Sequence, residues 1–141
     1  MKLKIYFIIQ FLLVMLFAAC SSTSRYSGSS VDDSGINTTN ILETETGTAS
    51  FYADEFNGKK TANGEIYDMN ELTAAHPKYP FNTIVEVTNL KNSRRVQVRI
   101  NDRMPNFKNR IIDLSLKAAE KLGMIQDGIQ EVKVEVIKWG K

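Results

Sequence analysis

The sequence is poor in the residues that form disulfides and metal sites. Its 141 residues include one cysteine, Cys20, and one histidine, His76. A single cysteine can neither close a disulfide within the chain nor supply a cysteine-rich metal site. A single histidine likewise excludes a metal site built from several histidines. We therefore expect neither kind of metal site, and we expect no cofactor.

The sequence also lacks a large excess of charge of either sign. The formal net charge of +2 equals the charge of Lys2 and Lys4, so the remainder of the chain has as many acidic as basic residues. The sequence has no long basic run and no visible internal repeat. Nucleic acid is therefore a poor candidate partner.

The N-terminal segment has the pattern of an export signal. Two lysines precede an almost entirely apolar run at residues 5–19, which ends in two alanines. This run is shorter than the roughly 20 residues of a membrane-spanning helix, and the pattern is typical of a secretory signal peptide. We therefore exclude residues 1–19 from the folded domain.

Cys20 follows this run directly, as the lipid-modified cysteine of bacterial lipoproteins follows its signal. Attached acyl chains would give stable membrane anchoring. We expect a lipoprotein, with an ordinary signal peptide and an incidental cysteine as the alternative. Ser21 after the cysteine favours the outer membrane, so we expect a lipid-anchored protein of the cell envelope that faces the periplasm.

The composition changes twice after the signal. Residues 20–46 are rich in Ser, Thr, Gly, Asn and Asp and contain few residues that build a core. Such a segment does not offset the entropy of ordering, so we predict a flexible tether. Residues 47–141 remain as the folded domain.

Hydrophobic patterns within this domain indicate short strands and one helix. Apolar and polar residues alternate or cluster as in strands at residues 48–53, 83–89, 94–101, 111–114 and 132–136. Residues 66–75 fit either a short strand or a helical turn. Ser115 and Gly123 are suited to begin and end a short helix. The pattern predicts a compact, mainly β barrel.

One carboxylate lies where catalytic groups are often found. The predicted strand at residues 94–101 runs directly into Asp102, and Pro105 ends the extended segment. A strand end fixes a side chain while the following loop leaves it accessible. Taken alone, this local pattern favours an aspartate that only caps a turn.

A series of motifs, taken together, identifies a family. They are Gly-Thr-Ala-Ser-Phe-Tyr-Ala at 47–53, Thr-Ala-Asn-Gly-Glu-Ile-Tyr-Asp-Met at 61–69, Thr-Ala-Ala-His at 73–76, Arg-Ile-Asn-Asp-Arg-Met-Pro at 99–105 and Arg-Ile-Ile-Asp-Leu-Ser at 110–115. In this order they resemble the rare lipoprotein A (RlpA) family across nearly all of residues 47–137. The resemblance implies a six-stranded double-psi β-barrel with one or two short helices, as in expansins and barwin-like proteins.

The resemblance also implies an activity on peptidoglycan. Members of the family are lytic transglycosylases, lyases that cleave the β-1,4 bond between N-acetylmuramic acid (MurNAc) and N-acetylglucosamine (GlcNAc). The product end is 1,6-anhydro-MurNAc, and glycan strands without stem peptides are preferred. The expected partner is therefore a peptidoglycan strand. We expect a monomer, without the septal recruitment that a C-terminal SPOR domain gives many relatives.

The motif matches assign roles to individual residues. Asp102 matches the catalytic aspartate, which acts as acid and then as base, and this match reverses the local preference for a turn cap. Glu65 and His76 match two further active-site positions, although a solvated turn glutamate and a histidine that caps a backbone group are the ordinary alternatives.

Other polar and aromatic residues are weaker candidates. Tyr52 is a candidate for stacking on sugar. Arg103 is expected either to bind the substrate or to brace Asp102 by a salt bridge. We expect Asp113 to be structural and Arg110 to brace it.

The sequence departs from the family pattern at four positions. Phe51 replaces a tryptophan, Ala53 a glycine, Asn57 a frequent histidine, and Met104 the glycine of Asp-Arg-Gly-Pro. We expect Met104 to narrow the cleft beside Asp102, because glycine permits a close backbone approach that methionine does not. These departures leave an alternative, a non-catalytic, expansin-like lipoprotein that only binds peptidoglycan.

Overall fold

The computed structural model describes residues 40–141, which form a closed six-stranded barrel with one α-helix. The elements in chain order are β1 (Glu43–Phe51), β2 (Thr73–Ala75), β3 (Ile84–Asn89), β4 (Arg95–Asp102), β5 (Arg110–Leu114), α1 (Leu116–Leu122) and β6 (Gln130–Lys138). A short 3₁₀ turn, Asp54–Phe56, follows β1. The predicted fold class is confirmed.

The order of the strands around the barrel brings distant segments together. It is β1-β5-β2-β4-β3-β6, with parallel pairs β1·β5 and β2·β4 and antiparallel pairs elsewhere. The short strand β2 therefore lies between β4 and β5. Its last residue, Ala75, is in register with Asp102 on one side and with Asp113 on the other. Two carboxylates from different motifs thus flank one residue.

Valines from three strands fill much of the barrel interior. In β6, Val132, Val134 and Val136 are fully buried and alternate with Lys133 and Glu135. The β3–β4 hairpin adds two buried cross-strand valine pairs, Val85 with Val98 and Val87 with Val96. Each buried valine contributes roughly 1.5–3 kcal/mol from the removal of apolar surface from water. The period-two pattern of the sequence therefore locates the core correctly.

Helix α1 has the ends that the sequence predicts. The Ser115 hydroxyl accepts a hydrogen bond from the Ala118 N–H at 3.3 Å and donates one to the Glu71 carbonyl at 2.6 Å. Gly123 ends the helix in the left-handed conformation, with φ of 67°. Ala119 and Leu122 are fully buried, so the helix packs its apolar face on the barrel.

The barrel begins earlier than the predicted boundary at residue 47. Strand β1 already pairs with β6 at Glu43, and the Leu42 N–H donates to the Val136 carbonyl at 2.9 Å. Residues 43–46 therefore belong to the barrel and not to the tether. Their composition is that of a linker because this end of β1 is largely exposed and its glutamates contact polar groups instead of the core.

The ambiguous segment at residues 66–75 also takes a definite form. Only its last three residues form a strand, β2, while Ile66 makes an isolated bridge to Lys60. The predicted signal peptide, Cys20 and the tether as far as residue 39 lie outside the described residues. Among residues 40–141, no helix has the length and apolar character needed to cross a membrane.

Candidate active site

Three donors from different segments hold the Asp102 carboxylate. Its Oδ1 accepts hydrogen bonds from the main-chain N–H groups of Ala62 and Arg103, both at 2.8 Å. Its Oδ2 accepts one from the Tyr52 hydroxyl at 2.7 Å. The carboxylate is half-buried at the end of β4. Its two oxygens therefore have fixed and different surroundings.

These surroundings identify the oxygen that can carry a proton. A main-chain N–H only donates, so Oδ1 remains an acceptor. A tyrosine hydroxyl both donates and accepts, and the hydrogen bond to Oδ2 persists whether or not that oxygen is protonated. Burial, followed by the hydrogen bond to Asp102, raises the pKa of Tyr52, so its hydroxyl stays protonated. Asp102 can thus change its protonation state without losing its partners.

The ring of Tyr52 belongs to an aromatic cluster. Its centroid lies 4.9 Å from that of Tyr67 and 5.7 Å from that of Phe56, with tilted planes. The stacking of Tyr52 on sugar stays a prediction. Its hydroxyl has a role that the sequence did not reveal, since the two hydrogen-bonded residues are 50 positions apart.

Glu65 fastens the loop at residues 61–65 to β4. Its two carboxylate oxygens accept from Arg99 Nη1 at 2.9 Å and Nη2 at 2.8 Å, and the Asn101 amide donates to Oε2 at 3.1 Å. The same loop contributes the Ala62 N–H that binds Asp102. Glu65 therefore ties to β4 the loop that contributes this N–H, and it is not simply a solvated turn residue.

Removing the charge of Glu65 should destabilise the domain in a pH-dependent way. The hydrogen bonds from Arg99 and Asn101 lower the pKa of Glu65 from 4.5 to about 2. This stabilisation is complete above pH 4.5 and is lost as the pH falls towards 2. We expect Glu65→Gln to be less stable than the wild type at neutral pH and the difference to shrink over that acidic window.

Urea denaturation at several pH values measures this effect. Glu55→Gln, which removes an exposed carboxylate from the 3₁₀ turn, is the matched control and should show little difference at any pH. A stability loss in Glu65→Gln that stayed constant down to pH 2 would show that the ion pair is not its origin.

The side chain of His76 is buried and fully engaged. Its Nδ1 accepts from the main-chain N–H groups of Lys78 at 3.2 Å and Tyr79 at 3.0 Å, and its Nε2 lies 3.3 Å from Glu45 Oε2. Its ring stacks on Tyr79 with centroids 3.6 Å apart. Two donors at Nδ1 place the proton of a neutral ring on Nε2, directed at Glu45. Burial, the largest influence, lowers the pKa of His76 and favours this neutral form.

In these contacts the main chain of His76, and not its side chain, meets Asp102. Its main-chain N–H donates to the Asp102 carbonyl at 3.3 Å. The alternative reading, a histidine that caps backbone groups next to Pro77, describes the side chain well. A direct part for its ring in a reaction stays a prediction.

Arg103 braces the backbone around Asp102. Its Nη1 donates to the Asp102 carbonyl at 3.2 Å and, at 3.5 Å, to the His76 carbonyl. Its guanidinium lies 3.9 Å above the Phe81 ring. Among residues 40–141, the salt bridges do not include the expected one from Arg103 to the Asp102 carboxylate, because the guanidinium binds main-chain carbonyls instead. Substrate binding by Arg103 stays a prediction.

Asp113 is a second carboxylate on the other side of Ala75. Its Oδ1 lies 3.1 Å from Arg110 Nε, at ion-pair distance but without hydrogen-bond alignment. Burial raises the pKa of Asp113, with the nearby charge of Asp102 adding to the effect and Arg110 opposing it. The expected bracing by Arg110 is confirmed.

Met104, one of the four departures from the family pattern, is buried. Its side chain is only 7% exposed, and its φ is not among the positive values found in residues 40–141. The backbone conformation here therefore does not require glycine. The narrowing of the cleft beside Asp102 by Met104 stays a prediction.

Comparisons with solved structures define the class of fold. The Streptomyces papain inhibitor superposes with a TM-score of 0.58 and 24% identity, covering 70% of this chain and 98% of the inhibitor. An expansin from Clavibacter michiganensis gives a TM-score of 0.57 and 18% identity over 70% of this chain and 52% of the expansin. With the closed strand order described above, these place the chain among the double-psi β-barrels.

Comparisons of sequence define the family. A family model described as lytic transglycolase matches residues 44–134. The endolytic peptidoglycan transglycosylase RlpA of Campylobacter jejuni is 56% identical over 100 residues, which are 71% of this chain and 36% of that protein. The protein of the same name from Pasteurella multocida is 56% identical over 92 residues, 65% of this chain and 31% of that protein. The chain belongs to the RlpA family, and it spans about a third of the length of these relatives.

Proposed function

We propose that this chain is a peptidoglycan lytic transglycosylase with Asp102 as its acid and base. The observation that carries the proposal is the Asp102 carboxylate, which two N–H groups and one hydroxyl fix at the end of a strand. The names of the relatives, endolytic peptidoglycan transglycosylases, support the same substrate class. The proposed bond is the β-1,4 link between MurNAc and GlcNAc, in strands without stem peptides.

One carboxyl group serves both proton transfers of this reaction. Protonated Asp102 gives its proton to the glycosidic oxygen while the bond from that oxygen to C1 of MurNAc breaks. The resulting carboxylate then takes the proton of the C6 hydroxyl of the same MurNAc, and O6 bonds to C1. The products are a free GlcNAc hydroxyl and a 1,6-anhydro-MurNAc end. No water is consumed, and Asp102 returns to its protonated state.

The internal nucleophile explains why no second catalytic carboxylate is needed. Retaining glycosidases use a second carboxylate to attack C1, whereas here the C6 hydroxyl of the substrate takes that part. Asp113 can remain in its ion pair with Arg110. Tyr52 keeps its hydrogen bond to Oδ2 of Asp102 during both transfers.

The proposed setting is the bacterial cell envelope. A lipid anchor at Cys20 would hold a monomeric barrel near the outer membrane, facing the periplasm. Mass spectrometry of the N-terminus of the membrane-extracted protein tests the anchor, since diacylated Cys20 as first residue is expected. An N-terminus without lipid would contradict it.

Product analysis tests the proposed reaction. The full chain in detergent is incubated with amidase-treated peptidoglycan, and the released sugars are identified by mass spectrometry. We expect 1,6-anhydro-MurNAc ends, which contain one water less than reducing ends. Reducing ends would show a hydrolase, and sedimentation with the glycan without any release would support the binding-only alternative.

Removing the hydroxyl of Tyr52 should slow this reaction without unfolding the barrel. Tyr52→Phe keeps the aromatic cluster but leaves Oδ2 of Asp102 without its partner. Since hydrogen bonds to charged groups are worth about 1.5–3 kcal/mol, we expect a loss of roughly tenfold or more in kcat. KM should stay nearly constant if the hydroxyl acts on Asp102. A rise in KM at unchanged kcat would instead favour sugar binding by Tyr52.

A further inference from the structure

An open cleft of about 290 Å³ lies where β1 and the start of β5 meet two connecting segments. These segments are the one that follows β2 and the loop between β4 and β5. His76, whose N–H bonds the Asp102 carbonyl, forms part of its wall. This volume is near the lower end of small-molecule sites, which suits about one sugar unit. None of the roles described so far uses this cleft as a whole.

Two of the lining residues, Arg110 and Phe107, form a cationic platform. The guanidinium of Arg110 lies 4.0 Å from the centre of the Phe107 ring, and its Nε is at ion-pair distance from Asp113. Among the hydrogen bonds of residues 40–141, none uses its two terminal nitrogens. Phe107 is 45% exposed. Arg110 is therefore held in place at Nε while its outer edge is available to an acceptor.

The other charges of the cleft also favour an anion at this edge. Lys78 is exposed, and its main-chain N–H is tied to His76 Nδ1. Glu45 is the one carboxylate that lines the cleft, and its Oε2 already faces His76 Nε2 and the Tyr79 hydroxyl. The amide side chains of Asn106 and Asn109 complete a lining suited to a carbohydrate with N-acetyl and carboxylate groups.

We infer that this cleft binds a muramoyl unit through its free lactyl carboxylate, with Arg110 and Lys78 as the cations that recognise it. In a glycan strand GlcNAc is neutral, and only the lactyl ether of MurNAc bears a carboxyl group. A stem peptide converts that carboxylate into a neutral amide. A guanidinium fork binds carboxylate strongly, and it gains much less from an amide. The cleft would therefore distinguish a free lactyl carboxylate from an amidated one, an inference that rests on the proposed function.

A binding measurement tests the cleft separately from catalysis. Calorimetry of the full chain in detergent, with Asp102→Asn to prevent turnover, uses two tetrasaccharides of alternating GlcNAc and MurNAc. One has free lactyl carboxylates and the other has them as methylamides. Since a charge-assisted hydrogen bond is worth about 1.5–3 kcal/mol, we expect the free acid to bind roughly tenfold tighter or more.

Variants locate the origin of this preference. Lys78→Gln and Arg110→Gln should each reduce the preference at least about threefold, and Arg110→Lys should retain part of it. Lys108→Gln is the matched control, because Lys108 is an exposed cation of the same loop that does not line the cleft. If Arg110→Gln fails to fold, Lys78→Gln alone still tests the inference.

Several outcomes would overturn the inference. They are equal binding of the two tetrasaccharides by the parent, a preference that survives both cleft variants, or an equal loss with Lys108→Gln. Product analysis of the wild type is independent of these results. If anhydro ends are released but the free acid is not preferred, the role of the cleft is refuted and the proposed function stands. If the free acid is preferred but no anhydro ends are released, the proposed function is refuted and the role of the cleft stands.

Discussion

Replacement of Asp102 by asparagine is expected to lower the rate at which 1,6-anhydro-MurNAc ends form about a thousandfold. Asparagine has nearly the same shape, and its amide oxygen can still accept from the N–H groups of Ala62 and Arg103. Its amide nitrogen can donate to the Tyr52 hydroxyl. The variant cannot give or take the proton, and general acid–base catalysis contributes typically 10²–10⁴-fold. Mass spectrometry of anhydro ends over time measures the loss.

The control for this variant is the second carboxylate. Asp113→Asn changes an aspartate of β5 that is in register with the same Ala75 of β2. We expect it to retain most of the activity. Thermal unfolding should show that Asp102→Asn is folded, with a change in stability below about 1 kcal/mol, because all three hydrogen bonds persist. An active Asp102→Asn beside an inactive Asp113→Asn would reverse the assignment.

Replacement of His76 by alanine is expected to lower the free energy of unfolding by about 3 kcal/mol. The change leaves the N–H groups of Lys78 and Tyr79 without their acceptor, at roughly 1–3 kcal/mol for each buried group. It also removes a ring that stacks on Tyr79, worth roughly 0.5–1.5 kcal/mol. Urea denaturation at pH 7.5 measures the loss.

Asparagine at position 76 separates the capping role from any chemical role. Its side-chain oxygen can occupy the position of Nδ1 and accept from the same N–H groups. We expect His76→Asn to recover about half of the stability that alanine loses. If it recovers activity in proportion, His76 acts through structure. If its stability recovers but its activity stays as low as that of the alanine variant, the imidazole itself is needed.

The pH dependence of the free energy of unfolding is a second test of the role of His76. Because burial lowers its pKa below 6.5, the unfolded chain binds the proton more readily than the folded one. The contribution of His76 is present above pH 6.5 and is lost as the pH falls below it. We expect this acid dependence to be absent from His76→Asn, and since His76 is the only histidine, the comparison isolates one group.

The sequence predicted those features that depend on local patterns. The alternating valines of β6 and the caps of α1 at Ser115 and Gly123 are signals within a few residues, and the structure has both. The Asn-Gly pairs at 57–58 and 63–64 are local turn signals of the same kind. Their glycines have φ of 80° and 94°, as such turns require. Asp102 was predicted as a site residue from its motif. The structure has it at the end of β4, where the strand meets a loop, as the sequence indicates.

Such local patterns could not predict which residues contact the site residues. Tyr52 meets Asp102 across 50 residues and Glu45 meets His76 across 31, and no local spacing indicates either contact. The start of β1 was missed because its glutamates bind polar groups, whereas sequence patterns detect strands by their apolar side. Arg99 was likewise not linked to Glu65, since only the fold of the loop brings them together.

The position of β6 determines when this barrel can close. Its two neighbours are β1 and β3, and its pairing with β1 joins Glu43 to Val136, nearly the full length of the domain. A chain that leaves the ribosome or crosses a membrane from its N-terminus thus exposes β1 long before residues 130–138 are available. Contacts of such long sequence separation form slowly, because loop closure costs entropy before the contact is made. The first strand therefore remains without this neighbour until the last one emerges, so the barrel closes only when synthesis of the domain is nearly complete.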